Sequence, residues 1–399
     1  MASPATTEVS VPLPLKEIGK RIRQVRQEVG ISTESLAQFV GVSPQEIDQI
    51  EAGKLEQLPG DYVLIIAQAL NTDFRTFIST EHDDVNEETR RLFRALAEPK
   101  PSDLLALRRL IAYATYESEL ETLLSIKKPA LPPAYPNATN RSSLHKDQGR
   151  LAAHSERKRL GLGNAPISNI FQIIRDQGIG LARQRLEDSN LSGVTILHPR
   201  AGTFIFVNFE DDLFRQFFSA AHEYSHVLFD RIQLKNEGCV VSYRYNKKEL
   251  LELRANSFAS EFLLPSSALE QYQRPRSATE VVTLTEKIGR DYKVNTQTVA
   301  IRLKDLGMIS QRTLDSFINE RPVVIPKKEK QDPEIPTSLT QQQAARRRAI
   351  LESGASAYFL ELLRSALIQH QITPGRFAEM LSMSPEQAHQ LIGEAGLAL

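Results

Sequence analysis

The sequence has almost no cysteine, no long apolar run and no apolar leader. Cys239 is the single cysteine in 399 residues, which excludes an intramolecular disulfide framework and any cysteine-cluster zinc site. A metal site in this chain must therefore use histidine and carboxylate ligands. No run of about 18 apolar residues occurs, and the N-terminus, MASPATTEVSVPLPLK, lacks the apolar centre of a signal peptide. We therefore predict a cytoplasmic protein without a membrane partner.

Net charge is also lacking. The sequence contains 49 Lys and Arg residues and 49 Asp and Glu residues, so attraction to nucleic acid must come from local patches. Charged residues make up 25% of the chain and hydrophobic residues 41%, which is typical of globular proteins. A chain of this length has room for two or three domains.

Shifts in composition divide the sequence into seven segments. Two stretches rich in proline and polar residues separate regions with helical or mixed patterns, and we predict that they are linkers. In chain order the predicted segments are a flexible tail (1–14), a set of short helices (15–80), a helical spacer (81–126), a linker (127–147), a mixed α/β domain (148–312), a second linker (313–343) and a helical unit (344–399).

The first folded segment has the pattern of helix, tight turn, helix. Ser32 or Thr33 is suited to cap one helix, Gly41 interrupts it, and Ser43 with Pro44 starts the next.

A related pattern recurs near the C-terminus. LAQFVGVSPQEIDQI (36–50) and FAEMLSMSPEQAHQLI (377–392) share an alanine, a Ser-Pro pair and a glutamine at matching places. We expect both to fold as helix-turn-helix units. Convergence on a short turn with a serine cap and a proline is the alternative explanation of the likeness.

The mixed segment contains a predicted hairpin and two helices. SGVTILHPRAGTFIFVN (192–208) consists of two β-rich runs around a turn. One helix is predicted from about Asp212 to Phe229, and another from about Lys248 to Leu264, where Pro265 stops it.

The first of these helices carries a His-Glu-x-x-His motif. Residues four apart share one helical face with Cβ atoms roughly 6 Å apart, so His222 and His226 can ligate one ion. Glu223 points beside that ion, where a general base must lie to take a proton from water. The motif arises by chance in about one chain in a hundred of this length. Two incidental histidines on an ordinary helix are therefore the alternative.

The second helix offers a third ligand, which a catalytic zinc site needs in addition to one open position. It carries Glu249, Glu252 and Glu261 on a helix otherwise shaped for burial, where a carboxylate is costly unless it is paired or bound to metal. We predict Glu252 as the ligand, Glu249 as the alternative, and Glu261 on the solvated side. Asn256, four residues after Glu252, could hydrogen-bond a ligating histidine.

These two helices resemble the ImmA/IrrE family of metallo-endopeptidases. FRQFFSAAHEYSHVLF followed by ELRANSFASEFLLP matches the family's HExxH helix and its later Glu-x-x-Ala-Asn-x-Phe-Ala pattern, except that Phe262 precedes the expected leucine pair. Arg215 also matches, and we expect it to be structural.

The resemblance implies a zincin-like α+β domain with a small antiparallel sheet and a terminal winged-helix-like segment. It also implies zinc, with manganese as the alternative, held by His222, His226 and Glu252, with Glu223 as the catalytic base. Family members typically cleave a repressor protein, so a repressor is the implied substrate.

Peptide hydrolysis also needs a group that steadies the developing oxyanion besides the metal. Tyr243 and Tyr245 lie in the connector between the two motif helices, and His198 lies at the hairpin. All three are candidates, and His198 can also be explained as an exposed strand residue.

The N-terminal helices resemble the phage-repressor, or Xre, family. The sequence pattern of that family is followed by IGKRIRQVRQEVGISTESLAQFVGVSPQEIDQIEAGK. The resemblance implies that the third helix reads DNA. Gln45 and Gln49 are candidates for base contacts and Arg26 for a phosphate contact, but Glu46 and Asp48 on the same helix repel phosphate. DNA binding through residues 15–80, protein docking and homodimerisation therefore all stay open.

The sequence thus predicts a multidomain, mainly α protein with an all-α helix-turn-helix domain, an α+β peptidase domain and a helical C-terminal unit. Its leading predicted function is a zinc-dependent endopeptidase that cleaves a transcriptional repressor or similar regulatory protein. The alternative is a DNA-binding transcription regulator whose peptidase-like domain is a sensor or a protein-binding module without turnover.

Overall fold

A computed structural model of the chain describes residues 13–80, 83–95, 100–136, 142–186, 190–243, 250–319, 325–326 and 330–394. The chain divides into two compact units, Met1–Ala112 and Tyr113–Leu399. Among the described helices, none combines the length and the apolar character needed to cross a bilayer.

The first unit is helical throughout its described part. Its elements are α1 (Leu15–Glu28), α2 (Thr33–Val40), α3 (Pro44–Glu51), α4 (Gly60–Ala69), α5 (Arg75–Ile78), α6 (Asp83–Ala95) and the N-terminal part of α7 (Pro101–Leu123). A single core of mainly aliphatic side chains, including Ile22, Ile47 and Ile66, joins α1, α3 and α4.

Caps and one left-handed residue fix the turn between α2 and α3. The Ser32 hydroxyl accepts a hydrogen bond from the Ser35 amide at 3.1 Å, which starts α2. Gly41 then adopts φ 80°, a region that costs other residues roughly 1–2 kcal/mol. Ser43 and Glu46 form a capping box at the start of α3. The predicted helix, turn and helix are therefore confirmed.

The second unit contains the mixed domain and the C-terminal helices. After the C-terminal part of α7, its described elements are α8 (Ser142–Arg159), α9 (Ile170–Arg175), β1 (Gly180–Gln184), β2 (Leu191–His198), β3 (Gly202–Asn208), α10 (Leu213–Phe229), α11 (Arg231–Glu237), β4 (Cys239–Tyr243), α12 (Leu250–Leu263), α13 (Ser266–Leu269), α14 (Ala278–Tyr292), α15 (Thr296–Asp305), α16 (Gln311–Asn319), α17 (Gln341–Glu352), α18 (Ala357–Ile368), α19 (Pro374–Met380) and α20 (Pro385–Glu394).

The described strands form one sheet in the order β1-β3-β2-β4. Strands β2 and β3 are the predicted hairpin, with Val194 opposite Phe206, and β4 pairs antiparallel with β2. Strand β1 runs parallel to β3, with Gly180 opposite Phe204. The fold class is therefore confirmed, with one correction. The sheet is mixed rather than antiparallel, because the β2–β3 hairpin brings the chain back in the direction of β1.

The motif helix α10 lies in the core of this unit. It contacts β2, β3 and α12, while α12 also packs along α8. Fourteen of its 17 residues are buried, which explains why polar side chains on this helix need partners.

A buried ionic cluster ties part of the predicted second linker to the sheet. Arg183 on β1 donates to both carboxylate oxygens of Asp332 at 2.9 Å and to Glu334 at 2.9 Å, and it lies 4.2 Å from the Phe171 ring centroid. Arg175 donates to Glu334 at 2.7 Å. Burial opposes ionisation of Glu334, but the charges of Arg175 and Arg183 outweigh it and lower the pKa of Glu334 to about 2. This part of the segment is therefore packed rather than free.

The C-terminal helix pair repeats the local structure of α2 and α3. Thr373 caps α19 by accepting from the Arg376 amide at 3.1 Å, Ser382 takes φ 51°, and Pro385 opens α20. Buried apolar residues recur at the same spacing in both pairs: Leu36, Ala37, Val40 and Ile47 in the first, and Phe377, Ala378, Leu381 and Ala388 in the second. The two segments therefore fold alike, as their sequences predict.

Candidate metal centre

Three predicted ligands converge between α10 and α12. The Nε2 atoms of His222 and His226 lie 3.2 Å apart. The Glu252 carboxylate oxygens lie 3.3 Å from His222 Nε2 and 3.5 Å from His226 Nε2. All three side chains are buried. Glu249, the alternative third ligand, lies outside the described residues.

These separations fit a tetrahedral ion. With metal–ligand bonds of about 2.0–2.1 Å, the ligand atoms of a tetrahedral site lie about 3.3 Å apart. The measured separations of 3.2, 3.3 and 3.5 Å are close to that value. His222, His226 and Glu252 could therefore hold one divalent cation and leave a fourth position open.

Each histidine is oriented through its other ring nitrogen. His222 Nδ1 lies 3.1 Å from Asn256 Oδ1, which is the contact predicted for Asn256. His226 Nδ1 lies 2.7 Å from Asp230 Oδ2. Because both acceptors are oxygen atoms, they favour a proton on Nδ1 and leave the Nε2 lone pair for a metal. Asp230 was not among the residues predicted from the sequence, although its place four residues after His226 was a usable signal.

A buried arginine in turn holds Asp230. Arg254 on α12 donates from Nη2 to Asp230 Oδ1, and its guanidinium carbon lies 4.4 Å from the Phe229 ring centroid. Burial tends to raise the pKa of Asp230, but the bonds to His226 and Arg254 outweigh it and lower that pKa below its usual value. Asp230 is therefore an ionised acceptor for the His226 ring.

The centre favours positive charge. Burial lowers the pKa of His226, but its hydrogen bonds to Asp230 and Glu252 and the charge of Glu223 outweigh burial and raise that pKa to about 10. Burial likewise opposes ionisation of Glu252, but its bonds to His222 and His226 lower its pKa to about 2. A metal cation competes with protons for the same lone pairs, so this charge balance suits a divalent cation.

Glu223 lies beside this set and has one oxygen available. It is fully buried, and Thr195 Oγ1 donates to its Oε2 at 2.8 Å. Its Oε1 has no hydrogen-bond partner among the described residues. Burial raises the pKa of Glu223 above its usual value, and the charges of His226 and His222 act against that rise. A carboxylate held on one oxygen and unpaired on the other is suited to accept a proton.

Gly193 on β2 makes room for this carboxylate. A Cβ atom at this position would lie 2.6 Å from Glu223 Oε1 and 2.8 Å from Glu223 Cγ. Glycine inside a strand commonly marks such a close approach. The hairpin strand therefore shapes the space around the Glu223 carboxylate.

A cavity of about 580 Å³ adjoins the centre. Residues of α8, α10, α12 and α15 line it, and His222 and Glu252 belong to its wall. Arg215 also lines the cavity, with its guanidinium carbon 5.5 Å from the Phe218 ring centroid. The centre is therefore reachable by a ligand larger than water.

The predicted oxyanion groups have different outcomes. The Tyr243 side chain and the whole of Tyr245 lie outside the described part of the chain. His198 is buried, and its Nδ1 accepts hydrogen bonds from the amides of Arg200 and Ala201 at 3.1 and 2.9 Å. Its Nε2 lies 3.2 Å from Thr115 Oγ1. His198 therefore stabilises the hairpin turn and is not an exposed strand residue.

Glu261 is buried, which corrects its predicted place on the solvated side. It accepts hydrogen bonds from the amide and hydroxyl of Ser266 at 2.7 and 2.9 Å and pairs with Arg302. These bonds join α12 to the start of α13 and to α15, so Glu261 has a structural role.

The residues predicted to contact DNA differ in their exposure. Gln45 and Gln49 are exposed on α3, together with Glu46 and Asp48. Arg26 is 9% exposed and pairs with both carboxylate oxygens of Glu51 at 2.6 and 2.9 Å. This corrects the placement of Arg26 among the DNA contacts, because its guanidinium is buried in a salt bridge with Glu51.

Asp230→Asn should weaken metal binding. The amide keeps the shape of the side chain but removes the negative charge that orients the His226 ring, so we expect a ten- to hundredfold loss of zinc affinity. Competition with a chromophoric chelator would measure the affinity. Asp176→Asn, at an exposed position after α9, is the control and should leave the affinity unchanged. Equal affinities of wild type and Asp230→Asn would contradict the role given to Asp230.

Two family models match this chain. Residues 174–304, which include the whole centre, match the IrrE N-terminal-like domain of the Peptidase M78 family. Residues 22–77 match a helix-turn-helix family. No curated protein matches the chain with significant similarity. The chain therefore carries an IrrE-like, metallopeptidase-like domain and a helix-turn-helix domain, and both resemblances drawn from the sequence are confirmed.

Proposed function

We propose that this chain is a zinc-dependent endopeptidase that cleaves a transcriptional repressor or a similar regulatory protein. The observation that carries the proposal is the buried set of His222, His226 and Glu252, spaced for a tetrahedral ion, with Glu223 beside it. Manganese is the alternative metal. We extend the predicted catalytic segment 148–312 in both directions, because α8 begins at Ser142 and because Leu314 and Phe317 of α16 belong to the same core.

In the proposed hydrolysis, Glu223 would transfer the proton and Thr195 would orient Glu223. A bound zinc ion would supply a Lewis acid that polarises the scissile carbonyl and acidifies the attacking water. Glu223 Oε1 would take the proton from that water and pass it to the leaving amide nitrogen. Thr195 holds Oε2 at 2.8 Å, so the carboxylate keeps its orientation while Oε1 changes its protonation.

The helix-turn-helix domain would bring the peptidase to its place of action. Exposed Gln45 and Gln49 on α3 support contacts to DNA bases, whereas exposed Glu46 and Asp48 oppose an approach to phosphate. Docking on a repressor or on a second copy of the chain is the alternative role of this domain.

A second candidate function has an observation of its own. The α19–α20 pair repeats the caps, the turn and the buried positions of α2–α3. Two such modules favour a DNA-binding regulator in which the peptidase-like domain is a sensor without turnover.

Incubation of the zinc-loaded protein with helix-turn-helix repressors encoded near its own gene tests the proposal. Mass spectrometry should find one new peptide-bond cut in a repressor, absent when Glu223→Gln replaces the wild type. Intact repressors in every reaction, with a Glu223→Gln variant that regulates normally in cells, would favour the sensor function instead.

Gly193→Ala should lower the rate of hydrolysis by tenfold or more while zinc stays bound. The added methyl group occupies the space of Glu223 Oε1 and Cγ, and a shift of about 1 Å at a catalytic group has effects of up to a hundredfold. The rate of repressor cleavage and the zinc content, measured on the same preparation, check this. Gly60→Ala, at an exposed position of α4 with no atom within 4 Å of a Cβ and without a positive φ, controls for the loss of a glycine as such. An unchanged rate in Gly193→Ala would show that β2 does not position Glu223.

A further inference from the structure

The cavity extends well beyond the metal centre. On α10 its lining runs from His222 back to Phe214, and on α12 it runs from Glu252 forward to Ser260. Each stretch advances by eight positions, which at 1.5 Å per residue is about 12 Å. An extended peptide rises about 3.3 Å per residue. The cavity therefore has room for roughly three to four residues on one side of a bond held at the centre.

Part of the cavity wall is apolar. The apolar side chains that line it are Phe214, Phe218, Leu253, Val294 and Ile301. Phe218 lies one helical turn before His222, and Leu253 directly follows Glu252, so this wall begins at the centre. Ile301 on α15 is 38% exposed, although large aliphatic side chains are usually buried. An accessible isoleucine inside such a cavity is a contact surface for an apolar ligand group.

Positive charge lies on the α8 side of the same cavity. Lys146 and Arg150 both line it and are four residues apart, so they share one face of α8. Arg150 forms a salt bridge with Asp147, with 2.6 Å between Nη2 and Oδ1, whereas Lys146 is exposed. Ser257 Oγ donates to the Lys146 carbonyl at 2.7 Å, which fixes this side of the cavity against α12.

Both acidic side chains of the lining already have partners. Glu252 belongs to the metal centre, and Asp305 pairs with Lys304 at 2.7 Å. The charges along the cavity therefore favour a carboxylate on the bound ligand.

We infer that this cavity binds an extended segment of the substrate protein with a large apolar side chain next to the scissile bond. An acidic side chain one or two residues further along contacts Lys146. This inference rests on the proposed function, because it assigns the substrate class of the same centre.

Synthetic peptide hydroxamates test the apolar part without requiring turnover. Three compounds bind zinc through the hydroxamate and differ only in the adjacent side chain, which is isobutyl, methyl or carboxymethyl. Titration calorimetry on the zinc-loaded protein should show that the isobutyl compound binds about tenfold or more tightly than the methyl compound. Ile301→Asp should remove most of that difference. Ile318→Asp, at a residue of α16 that is 37% exposed and not part of the lining, should preserve it.

A second pair of hydroxamates tests the charge. Both carry isobutyl, and they differ in having aspartate or lysine at the following position. The aspartate compound should bind about two- to fivefold more tightly at low salt. Lys146→Glu should reverse that order. Lys158→Glu, exposed on the same helix but outside the lining, should not.

The failures of the two proposals are distinguishable. Equal affinities for the three side chains, tighter binding of carboxymethyl, or no binding of any compound to zinc-loaded protein would overturn the inference. Repressor cleavage without an isobutyl preference would overturn it as well and leave the endopeptidase function intact. Selective isobutyl binding by a protein that cleaves no repressor would support the binding site and count against the endopeptidase function.

Discussion

Glu223→Gln should lower the rate of repressor cleavage by about 10²- to 10⁴-fold, which is the range that general acid–base catalysis contributes. The amide has nearly the same size as the carboxylate, so it fits the space beside Gly193 and keeps the hydrogen bond at Thr195. It cannot take a proton from water. Rates measured with the two zinc-loaded proteins at equal concentration give the ratio directly.

Metal content and a surface variant control this experiment. Glu223 is not among the three grouped ligands, so Glu223→Gln should bind as much zinc as the wild type. Glu237→Gln, at the exposed end of α11, should keep both full zinc content and full activity. A Glu223→Gln protein that cleaves at the wild-type rate would remove Glu223 from the catalytic machinery.

Arg183→Met should lower the free energy of unfolding by about 3–5 kcal/mol, which is the typical cost of removing one partner of a buried ion pair. The change leaves Asp332 and Glu334 buried without the guanidinium that now contacts both. Arg175 still pairs with Glu334, so Asp332 carries most of the effect. Urea unfolding followed by circular dichroism gives the difference.

Arg185→Met provides the matched control for that change. Arg185 is partly exposed and pairs with Glu210 at 3.0 Å and Glu352 at 3.3 Å. Exposed pairs contribute about 0–1 kcal/mol, so this variant should stay close to wild type. Equal effects of the two substitutions would show that residues 330–334 are not anchored through Arg183.

Local sequence patterns predicted most of the contacts between partners within about one helical turn of each other, with Asp230, four residues after His226, as the exception. The spacing of His222, Glu223 and His226 predicts one helical face, and α10 carries them on it. Cap residues predict the starts of α2 and α3 for the same reason. The third ligand needed more than spacing. A carboxylate on a buried helix must have a partner, and Asn256 four residues later favoured Glu252 over the alternative Glu249.

Features that depend on distant partners could not be predicted in this way. Strand β1 was missed because its inward side chains include Arg183, whose partners lie about 150 residues later in the chain. Glu261 was predicted to be solvated because nothing nearby in sequence indicates its pairing with Arg302. The packing of 330–334 has the same origin, since a Pro-containing charged stretch looks like a linker until Arg183 is known to be buried.

Bound metal in purified protein tests the central claim most directly. Elemental analysis of the wild type beside Glu252→Ala and Glu249→Ala should find about one zinc per chain in the wild type and in Glu249→Ala, and almost none in Glu252→Ala. Circular dichroism should show that all three proteins are folded. A folded wild type that takes up no zinc on addition, or a Glu252→Ala protein that keeps its zinc, would contradict the three-ligand centre.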